Sequence, residues 1–276
     1  MTTTEFGTTA FDASERLIWA GRAEAYAGTF AKLCAHTVPE LLDAAGVGPG
    51  LRVLDVGTGS GSVAVAACAR GARVTAVDAE PGMVDLAGRE APEADVRLAV
   101  LPELPFADGE FDVVVGNFVL NHTGRPLSAL AELRRVTRPG GRVAVTIWAA
   151  PAAAGQSLLA RAMQAAGAVR PAHLPPLAAE DDFPRTGQGL TDLLGAAGFA
   201  DASCRTLAWD HRADAEEWWS GPAAGVASVG RQLVSQTPDT IAAIRWHYDR
   251  LSAELAGPDG LLALPHTALL GHGRVG

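Results

Sequence analysis

Residues 53–63 decide the fold, and they read VLDVGTGSGSV. A short apolar run around Asp55 leads into glycines that alternate with small polar residues, and an alanine-rich stretch that favours a helix follows. Glycine permits positive φ angles and has no Cβ, so the backbone can turn sharply there and a ligand can approach it closely. The stretch therefore predicts a buried strand that ends in a glycine loop, residues 57–61, and opens a helix.

Asp78 ends the next apolar run, residues 74–77, and so lies at the tip of the second predicted strand. A helix N-terminus offers free N–H groups and a partial positive charge to an anionic ligand group. A carboxylate can accept two hydrogen bonds from a ribose diol. These features indicate a cofactor that contains a nucleotide, and a tight turn without a ligand is the alternative.

The spacing of the loop bears on which cofactor this is. The dinucleotide fingerprint is G-x-G-x-x-G, and the position of its third glycine is occupied by Ser62. Asp55 would repel a pyrophosphate, whereas it could order the loop or accept a hydrogen bond from an ammonium group. An NAD(P)-dependent oxidoreductase is further disfavoured because neither tyrosine begins a Tyr-x-x-x-Lys pair: Phe30 and Ser252 stand at the lysine position.

Strand and helix patterns alternate along the chain, which is typical of a doubly wound α/β fold. We expect a Rossmann-like, mostly parallel sheet of seven strands, near residues 51–56, 73–77, 96–100, 111–116, 142–148, 199–210 and 261–270. We expect four segments: an N-terminal helical lid (1–46), a cofactor-binding core (47–150), a helical cap or substrate insert (151–187), and the remainder of the core with substrate-side helices (188–276).

Composition excludes several classes of protein. The net charge of −9 disfavours nucleic acid and anionic membranes as partners. The three cysteines lie far apart, so neither a metal site nor a disulfide scaffold is expected. The N-terminus has no signal-peptide pattern and no apolar run is long enough to span a bilayer, which predicts a cytoplasmic protein. A monomer and a homodimer remain equally open.

Four motifs follow in an order that resembles class I S-adenosylmethionine-dependent methyltransferases: LDVGTGSG, VTAVDAE, LPFADGEFDVVVGNFVLNH and LRRVTRPGGRVAVTIW. The resemblance covers roughly residues 45–150 and is greatest to the small-molecule branch with the ubiquinone and menaquinone methyltransferases. EEWW (216–219) and the ending LALPHTALLGHGR resemble a subset of bacterial secondary-metabolite enzymes. The resemblance implies S-adenosylmethionine as cofactor, S-adenosylhomocysteine as product, and an N-terminal segment that folds over the cofactor.

The resemblance also implies roles for matching residues. The methionine moiety would be surrounded by Asp55, Gly57, Thr58 and Gly59. The ribose and adenine would be held by Asp78, Ala79, Met83 and the backbone N–H of Leu101, and the sulfonium would lie beside Asn117 and Phe118. One departure is the absence of an acidic residue before the adenine-contacting position, where Ala99 and Val100 stand.

Methyl transfer needs an in-line nucleophile, and some nucleophiles need a base. The candidate bases are His122 after the fourth strand and Tyr26 and His36 on the N-terminal segment. Each has a purely structural alternative, as a packing or surface residue. A non-catalytic module that binds S-adenosylmethionine and regulates a partner is a further alternative, because binding and catalysis are separable.

The six tryptophans point to the acceptor. Tryptophan faces suit flat aromatic or cationic molecules. We expect Trp19, Trp148 and Trp218 to line the acceptor site and Trp209 and Trp246 to fill the core. The prediction is therefore a methyltransferase for a small, planar aromatic natural product, such as an indole, with carbon, nitrogen and oxygen all open as the methylated atom.

Overall fold

A computed structural model describes residues 8–276. Residues 1–7 lie outside the described residues; they include the start of the predicted lid segment and part of the N-terminal stretch that has no signal-peptide pattern. The described chain forms a seven-stranded sheet in the order β3-β2-β1-β4-β5-β7-β6. Its strands are β1 (Arg52–Val56), β2 (Arg73–Asp78), β3 (Asp95–Leu98), β4 (Phe111–Asn117), β5 (Thr137–Trp148), β6 (Phe199–Ala213) and β7 (Leu262–Val275).

The first five strands pair in parallel, and β7 runs antiparallel to both of its neighbours, β5 and β6. The predicted Rossmann-like, mostly parallel α/β sheet is confirmed.

The α-helices of the described chain are α1 (Ala10–Trp19), α2 (Ala23–Gly28), α3 (Phe30–Cys34), α4 (Val38–Ala45), α5 (Ser62–Ala69), α6 (Pro81–Glu90), α7 (Pro126–Val136), α8 (Ala154–Ala165), α9 (Gly187–Ala196), α10 (Ala215–Ala223), α11 (Ala227–Val234) and α12 (Pro238–Ala253).

The central strands are buried on both faces, because helices cover both sides of a doubly wound sheet. Val53 on β1 packs in a cluster with residues of α4 and α5. Its neighbour Leu54 points to the other face and packs with residues of α7 and α9. This alternation explains why β1 and β4 read as nearly continuous apolar runs.

Residues 15–36 are rich in Ala, Glu, Arg and Leu, which favours a helix, but the structure divides this segment into α1, α2 and α3, with a turn at Gly21, where φ is +70°. Thr37 and Glu40 have the spacing of a capping box, but the Thr37 hydroxyl has other partners and makes no cap to α4. Gly46 does end α4, in the left-handed conformation.

Residues after β5 form helix α8 and a loop that leads to α9. Helix α8 contributes Leu158, Leu159 and Met163 to an apolar cluster with Tyr248 of α12 and Leu264 of β7. The sequence pattern did not predict α11. The segment boundaries near residues 46, 150 and 187 stay predictions.

Asp112 ties three strands together at the amino edge of the sheet, opposite the glycine loop. Its carboxylate accepts a hydrogen bond from the Arg52 N–H of β1 (2.8 Å) and another from the Arg138 guanidinium of β5 (2.7 Å). Burial alone would raise the pKa of Asp112, but the hydrogen bonds from Arg52 and Arg138 outweigh it and hold the pKa well below its ordinary value. The ionised carboxylate therefore stabilises the folded state.

We expect Asp112→Asn to lower the free energy of unfolding by about 1–3 kcal/mol at neutral pH, because bonds to a charged acceptor are lost. The folded-state pKa is depressed, so this contribution is present above the unfolded value of about 3.9 and is lost as the pH falls through the lowered pKa. Urea unfolding at neutral and at acid pH measures the difference. Asp95→Asn, at an exposed ion pair with Arg97, is the control. A difference that does not shrink on acidification would contradict the account.

Candidate functional site

A cavity of about 790 Å³ opens at the carboxyl edge of the parallel strands. It lies where β1 and β4 are neighbours and the chain leaves them toward opposite faces of the sheet, the usual ligand position in open α/β sheets. Its size falls within the roughly 300–1,000 Å³ typical of small-molecule sites. Its wall includes 13 of the 16 predicted site residues: Trp19, Tyr26, Gly57, Gly59, Asp78, Ala79, Met83, Leu101, Asn117, Phe118, His122, Trp148 and Trp218.

The glycine loop forms one wall of the cavity and leaves no room for side chains. Gly57 has φ +71°, and a Cβ placed there would lie 2.5 Å from Val119 Cγ2. Gly59 has φ +55°, and a Cβ there would lie 3.1 Å from the Tyr26 ring. The backbone N–H of Gly57 donates to the Val77 carbonyl (2.8 Å), which binds the loop to the end of β2. The glycines are thus required by close packing within the protein, and Gly57 and Gly59 also line the cavity.

Asp78 stands at the end of β2 and faces the same cavity. Its carboxylate accepts hydrogen bonds from the N–H groups of Gly59 (2.9 Å) and Glu80 (3.0 Å). Burial raises the pKa of Asp78, and those N–H donors oppose the increase. Each carboxylate oxygen has a second lone pair, so Asp78 can still accept from a diol.

Asp55 on β1 and Thr58 in the loop do not line the cavity. The Thr58 hydroxyl donates to Asp55 Oδ2 (2.6 Å), and Asp55 is fully buried. Asp55 Oδ1 has no hydrogen-bond partner among the described residues. Burial, reinforced by the nearby charge of Asp78, raises the pKa of Asp55 to about 7.

The side of the cavity next to Asp78 is apolar. Met83 on α6 is buried and packs with Ala23, Trp19 and Tyr26. Ala79 and Leu101 complete this side, and Ala99 and Val100 also line it. The Ala79, Met83 and Leu101 side chains offer no strong acceptor to an amino group, so a backbone carbonyl or the Glu80 carboxylate, which also lines the cavity, would have to serve.

Asn117 and Phe118 end β4 in the middle of the cavity, and a hydrogen-bond network holds them. Asn117 Oδ1 accepts from the hydroxyls of Thr37 (2.7 Å) and Thr146 (2.6 Å), and its Nδ2 donates to the Cys34 carbonyl (3.0 Å). The Phe118 N–H donates to the Thr146 hydroxyl (2.9 Å). Phe118 adopts φ +61°, which is unusual for a side chain of this size and is often associated with functional sites.

An aromatic wall extends from Phe118 away from Asp78. Phe118 and Trp148 stack with ring centroids 4.1 Å apart, and Trp209 stacks behind Trp148 at 6.1 Å. His266 packs 5.9 Å from the rings of both Trp148 and Trp218. Burial lowers the pKa of His266 to about 4, so the wall carries no charge there at neutral pH.

The two tryptophans expected to fill the core behave differently. Trp209 is part of the stack behind Trp148. Trp246 on α12 is 61% exposed, so its placement in the core is wrong. It packs edge-on to its neighbour His247 at 4.7 Å rather than to the core.

The three candidate bases occupy different places. His122 lines the cavity, and its Nδ1 lies 2.8 Å from Glu15 Oε2. Tyr26 also lines the cavity, but burial and the neighbouring Cys34 raise the pKa of its hydroxyl well above the ordinary value. His36 is exposed and does not line the cavity, because its ring turns to His211, with Nε2 3.3 Å from Nδ1.

Several cavity residues were not singled out in the sequence. Glu15 on α1 is the clearest, since it looks like an ordinary charge on an amphipathic helix. Arg170 and Arg185 come from the loop after α8, and Gln156 comes from α8 itself.

In the described chain, no group of three or more His, Cys, Asp or Glu side chains is placed to hold a metal ion. None of the helices within residues 8–276 is long and apolar enough to cross a membrane.

Residues 54–145 match the family model described as a methyltransferase domain. Demethylmenaquinone methyltransferase of Renibacterium salmoninarum is 40% identical over 111 residues, which are 40% of this chain and 47% of that protein. The chain thus spans about half the length of the curated relatives it matches.

Two solved structures share the fold. The YcgJ protein of Bacillus subtilis has a TM-score of 0.56 at 19% identity, over 87% of this chain and 99% of that one. The [4+2]-cyclase SpnF has a TM-score of 0.53 at 20% identity, over 88% of this chain and 82% of that one. Fold likeness at such identity does not specify a reaction. The sequence matches are more specific, and they agree with the motifs: residues 54–145 match a methyltransferase domain.

Proposed function

We propose that this protein transfers the methyl group of S-adenosylmethionine to a small, planar aromatic acceptor. The observation that carries the proposal is that one cavity is lined by a glycine loop, by the partly buried Asp78 carboxylate and by an aromatic wall, with Asn117 and Phe118 between them. The two ends differ in chemistry in the way that two different ligands would require. A dinucleotide site has less support, because Ser62 replaces the third glycine and Asp55 would repel a pyrophosphate.

The residues present fit the cofactor. Gly57 and Gly59 pack against Val119 and Tyr26 too closely for a Cβ, and both line the cavity, where their backbone can contact a ligand. Asp78 can accept from ribose hydroxyls, and Met83 and Leu101 can cover the adenine. Asp55 is buried and does not line the cavity, so its carboxylate, when ionised, would attract the ammonium group of the methionine moiety through its charge rather than by contact. S-adenosylmethionine supplies, when bound, a methyl group activated by a positively charged sulfur.

The protein contributes positioning and shielding from water. The network around Asn117 fixes the end of β4, and the Phe118–Trp148 stack offers a flat surface to an aromatic ring. Holding a nucleophile in line with the methyl group can contribute several kcal/mol, up to about 7–11 in the best cases. The first helix supplies Trp19, which lines the cavity beside Met83 and Tyr26, at the end next to Asp78.

His122 is the candidate base that the geometry favours. It lines the cavity and has a carboxylate at Nδ1 to orient it. Tyr26 is less suitable, because a hydroxyl whose pKa lies well above the ordinary value stays protonated. His36 lies outside the cavity wall and is not proposed to act on the acceptor.

Transfer of a trideuterated methyl group tests the reaction. Purified protein is incubated with labelled S-adenosylmethionine and an extract of the cells that naturally make this protein. Mass spectrometry then identifies the small molecules that gain the label. We expect one aromatic product, formed about tenfold more slowly by Trp148→Ala, since stacking is worth up to about 1.5 kcal/mol. Trp246→Ala, at an exposed tryptophan, is the control. A protein that binds the cofactor but labels nothing would instead be a non-catalytic module.

Calorimetric titration with S-adenosylhomocysteine tests the cofactor end. Asp78→Asn should weaken binding at least about tenfold, because hydrogen bonds to a charged acceptor are worth roughly 1.5–3 kcal/mol. Asp85→Asn, at an exposed residue of α6, should bind like the native protein. Melting temperatures of both variants are compared to confirm that they fold. Equal affinity of a folded Asp78→Asn variant would remove Asp78 from the site.

The affinity for S-adenosylmethionine should depend on pH through Asp55. Burial raises the pKa of Asp55 to about 7, so this carboxyl is mostly protonated below that pH and ionised above it. A cationic ligand favours the ionised form, so affinity should rise between about pH 5.5 and about pH 7.5. Asp55→Asn should flatten this dependence in calorimetric titrations. The same slope in the variant and in the native protein would contradict the assignment.

A further inference from the structure

Helix α1 is attached to the loop that follows β4 by hydrogen bonds from neighbouring turns. Asp12 Oδ1 accepts from the Gly124 N–H at 2.6 Å, and Glu15 Oε2 lies 2.8 Å from His122 Nδ1. The Ser14 hydroxyl donates to the His173 carbonyl at 3.1 Å, which joins the same helix to the loop after α8. The N-terminal helix is therefore docked onto the side of the cavity that carries His122.

Glu15 is a charged residue of α1 that is buried rather than exposed to solvent. It is only 8% exposed, and in the described chain its carboxylate bonds to one side chain, His122. A buried carboxylate is costly unless it is paired, so this position is specifically matched to the imidazole. Trp19, one turn further along α1, packs edge-on against the same ring at a centroid distance of 5.0 Å. Helix α1 thus holds the His122 ring by a hydrogen bond and by a ring contact.

The hydrogen bond determines which ring nitrogen is available. A carboxylate only accepts, so His122 must carry a proton on Nδ1 to donate to Glu15. In the neutral ring Nε2 is then unprotonated and can accept a proton. His122 lines the cavity, so this acceptor is available to a molecule bound there.

We propose that Glu15 is a positioning residue for His122, and that docking of α1 completes a base for an acceptor that reacts through an O–H or N–H group. This rests on the proposed methyl transfer. In the step, the acceptor oxygen or nitrogen forms a bond to the methyl carbon as the carbon–sulfur bond breaks. The sulfur keeps that electron pair and becomes a neutral thioether, and the proton of the acceptor moves to His122 Nε2. The resulting imidazolium is stabilised by the Glu15 carboxylate.

The proposal narrows the substrate class. An acceptor that reacts through a ring nitrogen lone pair or a thioether has no proton to lose and would gain nothing from this pair. An uncharged phenol-type O–H or an indole-type N–H would need it. Helix α1 also brings Trp19 to the cavity beside Met83, so the same docking event would cover the cofactor end and orient the base.

Nitrogen-15 NMR of the histidine rings tests the positioning directly, without any acceptor. The full-length protein is saturated with S-adenosylhomocysteine, and His122→Gln assigns the signal. We expect His122 to carry its proton on Nδ1 in the native protein and to lose that preference in Glu15→Leu. Ser14→Ala removes a different hydrogen bond of α1 and should leave the His122 tautomer unchanged. An Nε2-protonated ring in the native protein would overturn the proposal.

Rates of label transfer provide the second readout. Glu15→Gln keeps an acceptor for Nδ1–H but removes the charge, and we expect it to slow transfer about tenfold or more, within the range of general-base effects. The affinity for S-adenosylhomocysteine should not change. In a His122→Gln background the Glu15 change should have no further effect, which a merely structural role would not predict. Glu24→Gln, at an exposed ion pair with Arg89, is the matched carboxylate control.

The failures of the two proposals are distinguishable. If the native protein binds S-adenosylhomocysteine but transfers no label, the proposed function fails, and the NMR result still decides whether Glu15 orients His122. If label is transferred and Glu15→Gln is as fast as the native protein, the positioning role is wrong and methyl transfer stands. Additive effects of the Glu15 and His122 changes would likewise overturn it.

Discussion

The hydrogen bond between the Gly59 N–H and the Asp78 carboxylate, 2.9 Å long, joins the ends of β1 and β2 at the cavity. It forms only if the backbone after β1 turns with a positive φ, which the glycine loop allows. Asp78 then orders Glu80 through a second backbone hydrogen bond, and Glu80 in turn accepts from the Gly21 N–H at 3.2 Å. The proposed cofactor end of the cavity and the turn between α1 and α2 are thus linked through two acids, Asp78 and Glu80.

The sheet and the cofactor end could be predicted from the sequence because both depend on local patterns. Apolar runs that alternate with helical stretches require helices on both faces, and the structure has them. Asp55 and Asp78 follow such runs directly, so their positions at the sheet edge follow from chain order alone. The match of residues 54–145 to a methyltransferase domain confirms what the four motifs indicated.

Contacts between distant segments could not be predicted in the same way. Glu15 pairs with His122 across 107 residues, and no local pattern distinguishes it from a solvated helix charge. The Thr37 hydroxyl serves Asn117 instead of capping a helix, because the end of β4 lies beside it. For a related reason, His36 does not line the cavity and Trp246 does not lie in the core. Which side of a helix faces inward depends on how the helices pack, and both side chains are exposed.

A crystal structure with S-adenosylhomocysteine tests the central claim most directly. We expect the ribose hydroxyls within hydrogen-bond distance of Asp78, the adenine against Met83 and Leu101, and the sulfur directed toward Phe118. The aromatic wall around Trp148 should stay free for an acceptor. A ligand whose ribose lies away from Asp78, or whose adenine stacks on Trp148, would contradict the division of the cavity into a cofactor end and an acceptor end.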